Sequence, residues 1–179
     1  MSVNRTLTIG HLISGSFGLV FMLVNGGWLP PAGRLLLNIV GVAAFVFVLA
    51  AFVVSARRYG TSRPGEGFTG RYWLIVGAEA VLLFGGLAVI RSVQPAAALG
   101  WIALIVGLHF IPMAWLWPTG RAELLAIGIT MTVLGVIGLG LAFVTGDGPL
   151  VALVSGVGSG VILLGWPAIV AASSLSRRR

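Results

Sequence analysis

The sequence predicts an all-α integral membrane protein: a six-helix transmembrane bundle of three consecutive helical hairpins, with both termini cytoplasmic. Three observations carry that reading. The 179 residues are 58% hydrophobic with a mean hydropathy of +1.08, and only 8% are charged. A soluble domain carries roughly a quarter charged residues, so this chain cannot cover itself in water. The apolar residues form six continuous runs, each near the ~20 residues that cross a hydrocarbon core. The basic residues, every one an arginine, gather in the short stretches between runs and at the ends.

The runs are about 7–28, 34–56, 72–91, 96–117, 122–145 and 149–173, together a single integral membrane domain over 1–179. Backbone groups in lipid must be satisfied within their own segment, so each run is expected to be a helix. None shows the two-residue alternation of an outer-membrane barrel strand. The first run comes after a short polar start with Arg5. It is too long for a signal-peptide core, and Trp28-Leu-Pro-Pro-Ala offers no cleavage pattern, so it reads as a retained helix.

The connections alternate in character. Residues 28–33, 92–95 and 145–149 are tight turns with a proline at or near the next helix start. They hold or adjoin only Arg34 and Arg91. Arg5, Arg57, Arg58, Arg63, Arg71, Arg121, Arg177, Arg178 and Arg179 belong to the other connections and the ends. The positive-inside rule makes that second set cytoplasmic. Residues 57–67 form the one polar, glycine-rich linker. A proline followed by a glycine recurs at each tight turn (Pro31 and Gly41, Pro95 and Gly107, Pro149 and Gly160), a weak period that fits three hairpins.

Several function classes drop out. A net charge of +7 and a pI near 11.8 would point to nucleic acid in a soluble protein. Here Arg57, Arg58, Arg63, Arg177, Arg178 and Arg179 sit at the ends of apolar runs, where anionic headgroups attract them. The expected partner is therefore the bilayer and not nucleic acid. With no cysteine, disulfides, thiolate metal sites and thiol catalysis are excluded. No phosphate-binding loop and no HExxH helix is present. Two histidines without a carboxylate trio predict no metal, and no cofactor is expected. The expected depths of His11 and His109 differ by about one turn, which disfavours a haem between them. Arginine without lysine, among abundant glycine, alanine and valine, suggests a GC-rich bacterial genome and hence a bacterial inner membrane.

Packing should rest on glycine, because lipid is as apolar as leucine and helices associate where small residues let backbones approach. Gly156-Val-Gly-Ser-Gly160 is a small-residue face and a candidate homo-oligomer contact. Gly15 and Gly18, Gly85 and Gly86, and Gly135, Gly138 and Gly140 mark other faces. The tryptophans lie mostly toward run ends, as an aromatic belt.

Ionisable groups within a span are expensive unless paired or wet, so each carries a functional expectation. Glu79 lies about eight residues, or ~12 Å, from the arginine-rich end of the third run. His109 lies as far from the same end of the fourth. Antiparallel neighbours therefore bring Glu79 and His109 to one depth, as a ligand or proton-relay site or as a simple interhelical lock. Met113 lies one turn beyond His109, and Tyr72 shares the Glu79 face. His11 enters the first run by about one turn. Arg121 and Glu123 open the fifth, where a headgroup contact and a favourable helix dipole explain them equally well. Pro112 and Pro167 free the carbonyls of Leu108 and Leu163. Asn25 and Asn38 are placed to bond across the first hairpin, and Asp147 to pair with Arg34 or Arg91.

Gly107-Leu-His-Phe-Ile-Pro-Met-Ala114 resembles the GLHF-x-P-x-A segment of small uncharacterised bacterial multi-pass membrane proteins. The three-hairpin plan is similar to the HdeD-type acid-stress membrane proteins. These resemblances imply a multi-pass membrane fold and no particular chemistry. Three functions remain. The leading one is a small inner-membrane protein whose cytoplasm-facing polar pocket binds or carries a small or lipid-like ligand or a proton. The others are a membrane-embedded acid–base enzyme on an apolar, isoprenoid-like substrate, and a non-catalytic accessory or stress protein.

The topology is testable in intact cells. The S62C variant is expected to resist an impermeant maleimide and to react after permeabilisation; labelling before permeabilisation reverses the orientation.

Overall fold

A computed structural model of the protein describes residues 7–60 and 69–176. Arg5, Ser62, Arg63, Arg177, Arg178 and Arg179 lie outside the described residues. Among those described there is no strand, and six helical segments are long and apolar enough to cross a membrane. They are Ile9–Trp28, Pro31–Arg58, Gly70–Val93, Pro95–Leu116, Arg121–Thr145 and Gly148–Ser174. The expected all-α architecture of six helices is therefore present.

The helices are α1 (Ile9–Asn25), α2 (Pro31–Tyr59), α3 (Gly70–Val93), α4 (Ala98–Leu116) and α5 (Arg121–Thr145). The last span is interrupted: α6 (Gly148–Val151) passes through a π-helical turn over Ala152–Val157 into α7 (Gly158–Ser176). Helix α2 is longer than its apolar run at both ends. Pro31 takes the first helical position, where no amide is needed and the fixed φ suits the helix. Arg57 and Arg58 occupy the last turn, where cations meet the negative end of the helix dipole. Gly146, at φ 67°, closes α5 in a left-handed conformation that glycine adopts readily. Asp147 then caps α6, its Oδ1 accepting from the Leu150 amide at 2.9 Å.

The chain divides into two compact units. The first contains α1, α2 and α7 from Gly160 onward. Here α1 and α7 touch through their backbones. A Cβ on Gly160 would lie 2.7 Å from the Gly18 carbonyl oxygen, and one on Gly18 would meet the Gly160 carbonyl at 2.8 Å. Met22, Val48 and Leu164 fill the core beside this crossing. Pro167 lies inside α7 and cannot donate to the Leu163 carbonyl. Ser14 on α1 donates its hydroxyl to that oxygen at 2.8 Å, so the expected backbone defect is repaired from a neighbouring helix.

The second unit contains α3, α4, α5, α6 and the last span as far as Ser159. Its closest packing is between α4 and α5, which the hairpin plan assigns to different hairpins. Gly107 faces the backbone of Thr132, and Gly135 faces that of Leu104; at either position a Cβ would overlap the opposing chain. Gly100 lies equally close to the Leu139 amide. Helix α3 has no buried residue and rests chiefly on α4. The π-helical turn places Ser155 against Gly138, and the Ser155 hydroxyl donates to the Leu134 carbonyl at 2.9 Å.

In the second unit Leu134 lies over Gly158, and in the first Gly18 and Met22 lie over Gly160. Asn25 donates to the Phe21 carbonyl of its own helix, while Asn38 Oδ1 has no partner, so the two asparagines do not bridge the first hairpin. Own-helix back-bonding is the shorter route for a carboxamide one turn from an accepting carbonyl.

G107A and G135A are each expected to lower stability by about 1–3 kcal/mol in a thermal melt, since helix backbones must separate. G140A, with open space around it, should leave the melt unchanged or raise it slightly. S14A should lose about 1 kcal/mol by orphaning the Leu163 carbonyl. In a P167A background, where the restored amide satisfies that carbonyl, the loss should vanish; an undiminished loss contradicts the repair.

Candidate functional site

Helices α3 and α4 run antiparallel and meet at three polar or aromatic rungs. At one end, the Tyr72 and Trp117 rings stand edge to face with centroids 5.8 Å apart. At the middle rung, Glu79 Oε2 lies 2.8 Å from His109 Nδ1. Further along, Trp101 Nε1 donates to the Leu82 carbonyl at 3.1 Å, and its ring fills the space left by Gly86. The depth estimate from helix rise thus brings together the two residues it paired. Glycine spacing on α4 explains their orientation. Gly107 faces α5, and His109, two residues on, points some 200° around the helix toward α3.

The Glu79–His109 contact is close without being a well-aligned hydrogen bond. Nδ1 is shielded from solvent, and its 2.8 Å contact with the carboxylate falls outside hydrogen-bond geometry. The side chains are 14% and 20% exposed, His109 and Glu79 respectively. Both therefore lie at a partly open position inside spans long enough to cross a membrane. The Phe110 ring stands edge to face against the imidazole at 5.2 Å. Pro112, inside α4, removes the amide that would bond the Leu108 carbonyl, one residue from His109.

The other expected site residues are distributed around this pair. Met113, one turn beyond His109, is buried. Tyr72 belongs to the aromatic rung and also meets the Trp73 ring edge to face. Arg121 places its guanidinium 3.7 Å from the centre of the Trp115 ring, a cation–π contact at the start of α5. Glu123 lies in the first turn of α5, where the helix dipole favours a carboxylate. His11 belongs to the other unit. Its Nδ1 accepts from the Thr8 amide at 3.2 Å and lies 2.8 Å from the Thr8 hydroxyl, which ties down the start of α1.

Sequence reasoning missed several contributors. Trp101 reads as part of an interfacial belt, but it is the clamp between α3 and α4. Gln94 donates to the Ala142 carbonyl at 2.9 Å and joins the turn before α4 to the end of α5. A polar residue next to Pro95 in a tight turn is the available signal. Among the described residues no group of three histidine, aspartate or glutamate side chains could hold a metal ion.

No protein-family model, no curated protein and no solved structure matches this chain. The class that fold and site define is an all-α protein with six membrane-length helices and a half-buried carboxylate–imidazole pair between two of them.

Proposed function

We propose that the protein is a small bacterial inner-membrane protein in which Glu79 and His109 form a polar site for proton exchange or for a small or lipid-like ligand. The arginine pattern supports a site in the cytoplasmic half of the membrane. The observation that carries the reading is the 2.8 Å Glu79–His109 contact, which leaves Nδ1 without an aligned partner. A structural lock would be expected to use its best hydrogen bond. Here the bond is unspent, both side chains are partly open, and an imidazole can accept a proton at one ring nitrogen and donate one from the other. A modest turn of the ring makes or breaks the contact, as a relay or a ligand-exchanging site requires.

A second reading keeps its own support. Helix α3 buries no residue and packs mainly on α4, so each polar tie to α4 matters for holding it. Interhelical bonds in membranes average about 0.6 kcal/mol and reach ~2.

Proteoliposomes separate the two. E79Q and H109A are expected to reduce proton uptake about tenfold or more, as for a lost acid–base group, with thermal stability close to wild type. Unchanged uptake with a clear fall in melting temperature assigns the pair to holding α3.

A further inference from the structure

The turn between α1 and α2 encloses an open pocket of about 350 Å³ lined by Gly27, Leu29, Pro31, Arg34, Leu35 and Asn38. The last four recur at the three- and four-residue spacing of one helix face, so they form a continuous stripe at the start of α2. Charge, an unsatisfied acceptor and an apolar track all describe the molecule this pocket would take.

Charge comes first. The unit that contains Arg34 has no aspartate or glutamate anywhere in its sequence. The Arg34 guanidinium therefore has no carboxylate in its own unit. It stands in the first turn of a 29-residue helix, where the amides of residues 32 and 33 have no partner within the helix. Guanidinium and helix N-terminus together favour a phosphate. The unsatisfied acceptor is Asn38, one turn deeper on the same stripe. Its Oδ1 is shielded from water without a hydrogen-bond donor. The terminal torsion of asparagine is soft, so a small rotation presents this oxygen to a donor in the pocket. The apolar track begins beside it. Leu35, Ile39, Val42 and Val46 continue the same side of α2, and all are exposed. From Leu35 to Val46 the track measures ~16 Å. That is about half of a ~30 Å hydrocarbon core, the depth of one leaflet. Trp28, exposed in the same turn, fits the headgroup level.

We infer that this pocket binds a phospholipid whose headgroup carries both a phosphate and a hydrogen-bond donor. The phosphate lies on Arg34 and the first-turn amides of α2. The donor, an ammonium or hydroxyl, satisfies Asn38 Oδ1. One acyl chain runs along the track from Leu35 to Val46. The site is independent of Glu79 and His109, and its arginine is one of the two that the positive-inside pattern leaves over. A soluble phosphate ester would use the same polar contacts but none of the track.

The test uses the full-length protein, purified and delipidated in detergent, with bound lipid counted by native mass spectrometry and its affinity read from thermal shifts. The probes are phosphatidylethanolamine, phosphatidylcholine and glycerol 3-phosphate. The first two share a phosphodiester and a zwitterionic charge, and differ in the N–H donors. Wild type is expected to prefer phosphatidylethanolamine, and R34A to weaken that binding about tenfold or more, as for a lost charge-assisted contact. R91A, which removes the other leftover arginine, should leave it intact. N38L should bring the two lipids to equal affinity. Equal binding of phosphatidylethanolamine by R34A and wild type overturns the proposal. So does a preference between the two lipids that survives N38L, or a shift with glycerol 3-phosphate as large as that with lipid.

Discussion

Close backbone contact between α4 and α5 is the interaction on which the second unit depends. In lipid, apolar side chains gain little by leaving the solvent for one another, so helix association must come from dispersion at short range and from polar bonds. Gly100, Gly107 and Gly135 supply the first by letting two backbones touch. That contact also fixes the rotation of α4 about its axis. With the glycine stripe turned to α5, Trp101 and His109 are left to face α3. The position of the imidazole is thus set by residues that carry no chemistry at all.

Polar groups inside the spans find partners on neighbouring helices in both units. Ser14 answers the carbonyl freed by Pro167, and Ser155 adds a donor from the last span to the Leu134 carbonyl of α5. Without water to take over, an orphaned carbonyl costs the full desolvation of the group. Against that background the unrepaired atoms are informative. Nδ1 of His109 and Oδ1 of Asn38 are shielded yet lack a well-formed bond, as are Ser159 Oγ and Trp166 Nε1. Each of the first two has a charged group close by, Glu79 for His109 and Arg34 for Asn38.

What the sequence makes legible is whatever depends on one dimension. Span length, turn positions and residue depth all derive from the fixed helical rise, and counting from the arginines sets Glu79 against His109. The ends of α2 and α3 run past the apolar runs because proline and arginine extend a helix into the polar zone at little cost. Lateral packing is not legible. When every face of a helix is apolar, periodicity no longer reports which face meets protein. Hence the hairpin plan groups α4 with α3 although α5 is its closer neighbour, and Trp101 reads as an interfacial anchor. The sequence also does not say that Leu134 covers Gly158 or that Gly18 and Met22 cover Gly160. Asn38 reads as a partner for Asn25 across the hairpin, because nothing in a sequence says that Asn25 bonds its own helix.

Charge distribution links the two polar sites. The described acidic residues, Glu79, Glu123 and Asp147, fall in one unit, and the other contains arginines but no aspartate or glutamate. Within the acidic unit, Glu79 has an imidazole beside it, Glu123 a helix N-terminus and Asp147 the amide it caps. The cationic unit has no aspartate or glutamate to pair with Arg34, Arg57 or Arg58. A bilayer offers phosphates at both ends of every span. Arg57 and Arg58 close α2 at the negative end of its dipole. Arg34 differs because it sits at the positive end of α2, where two cationic features converge on one side of a pocket. Placing them together is unfavourable unless an anion lies between them, and that is the physical reason for reading the start of α2 as a phosphate site.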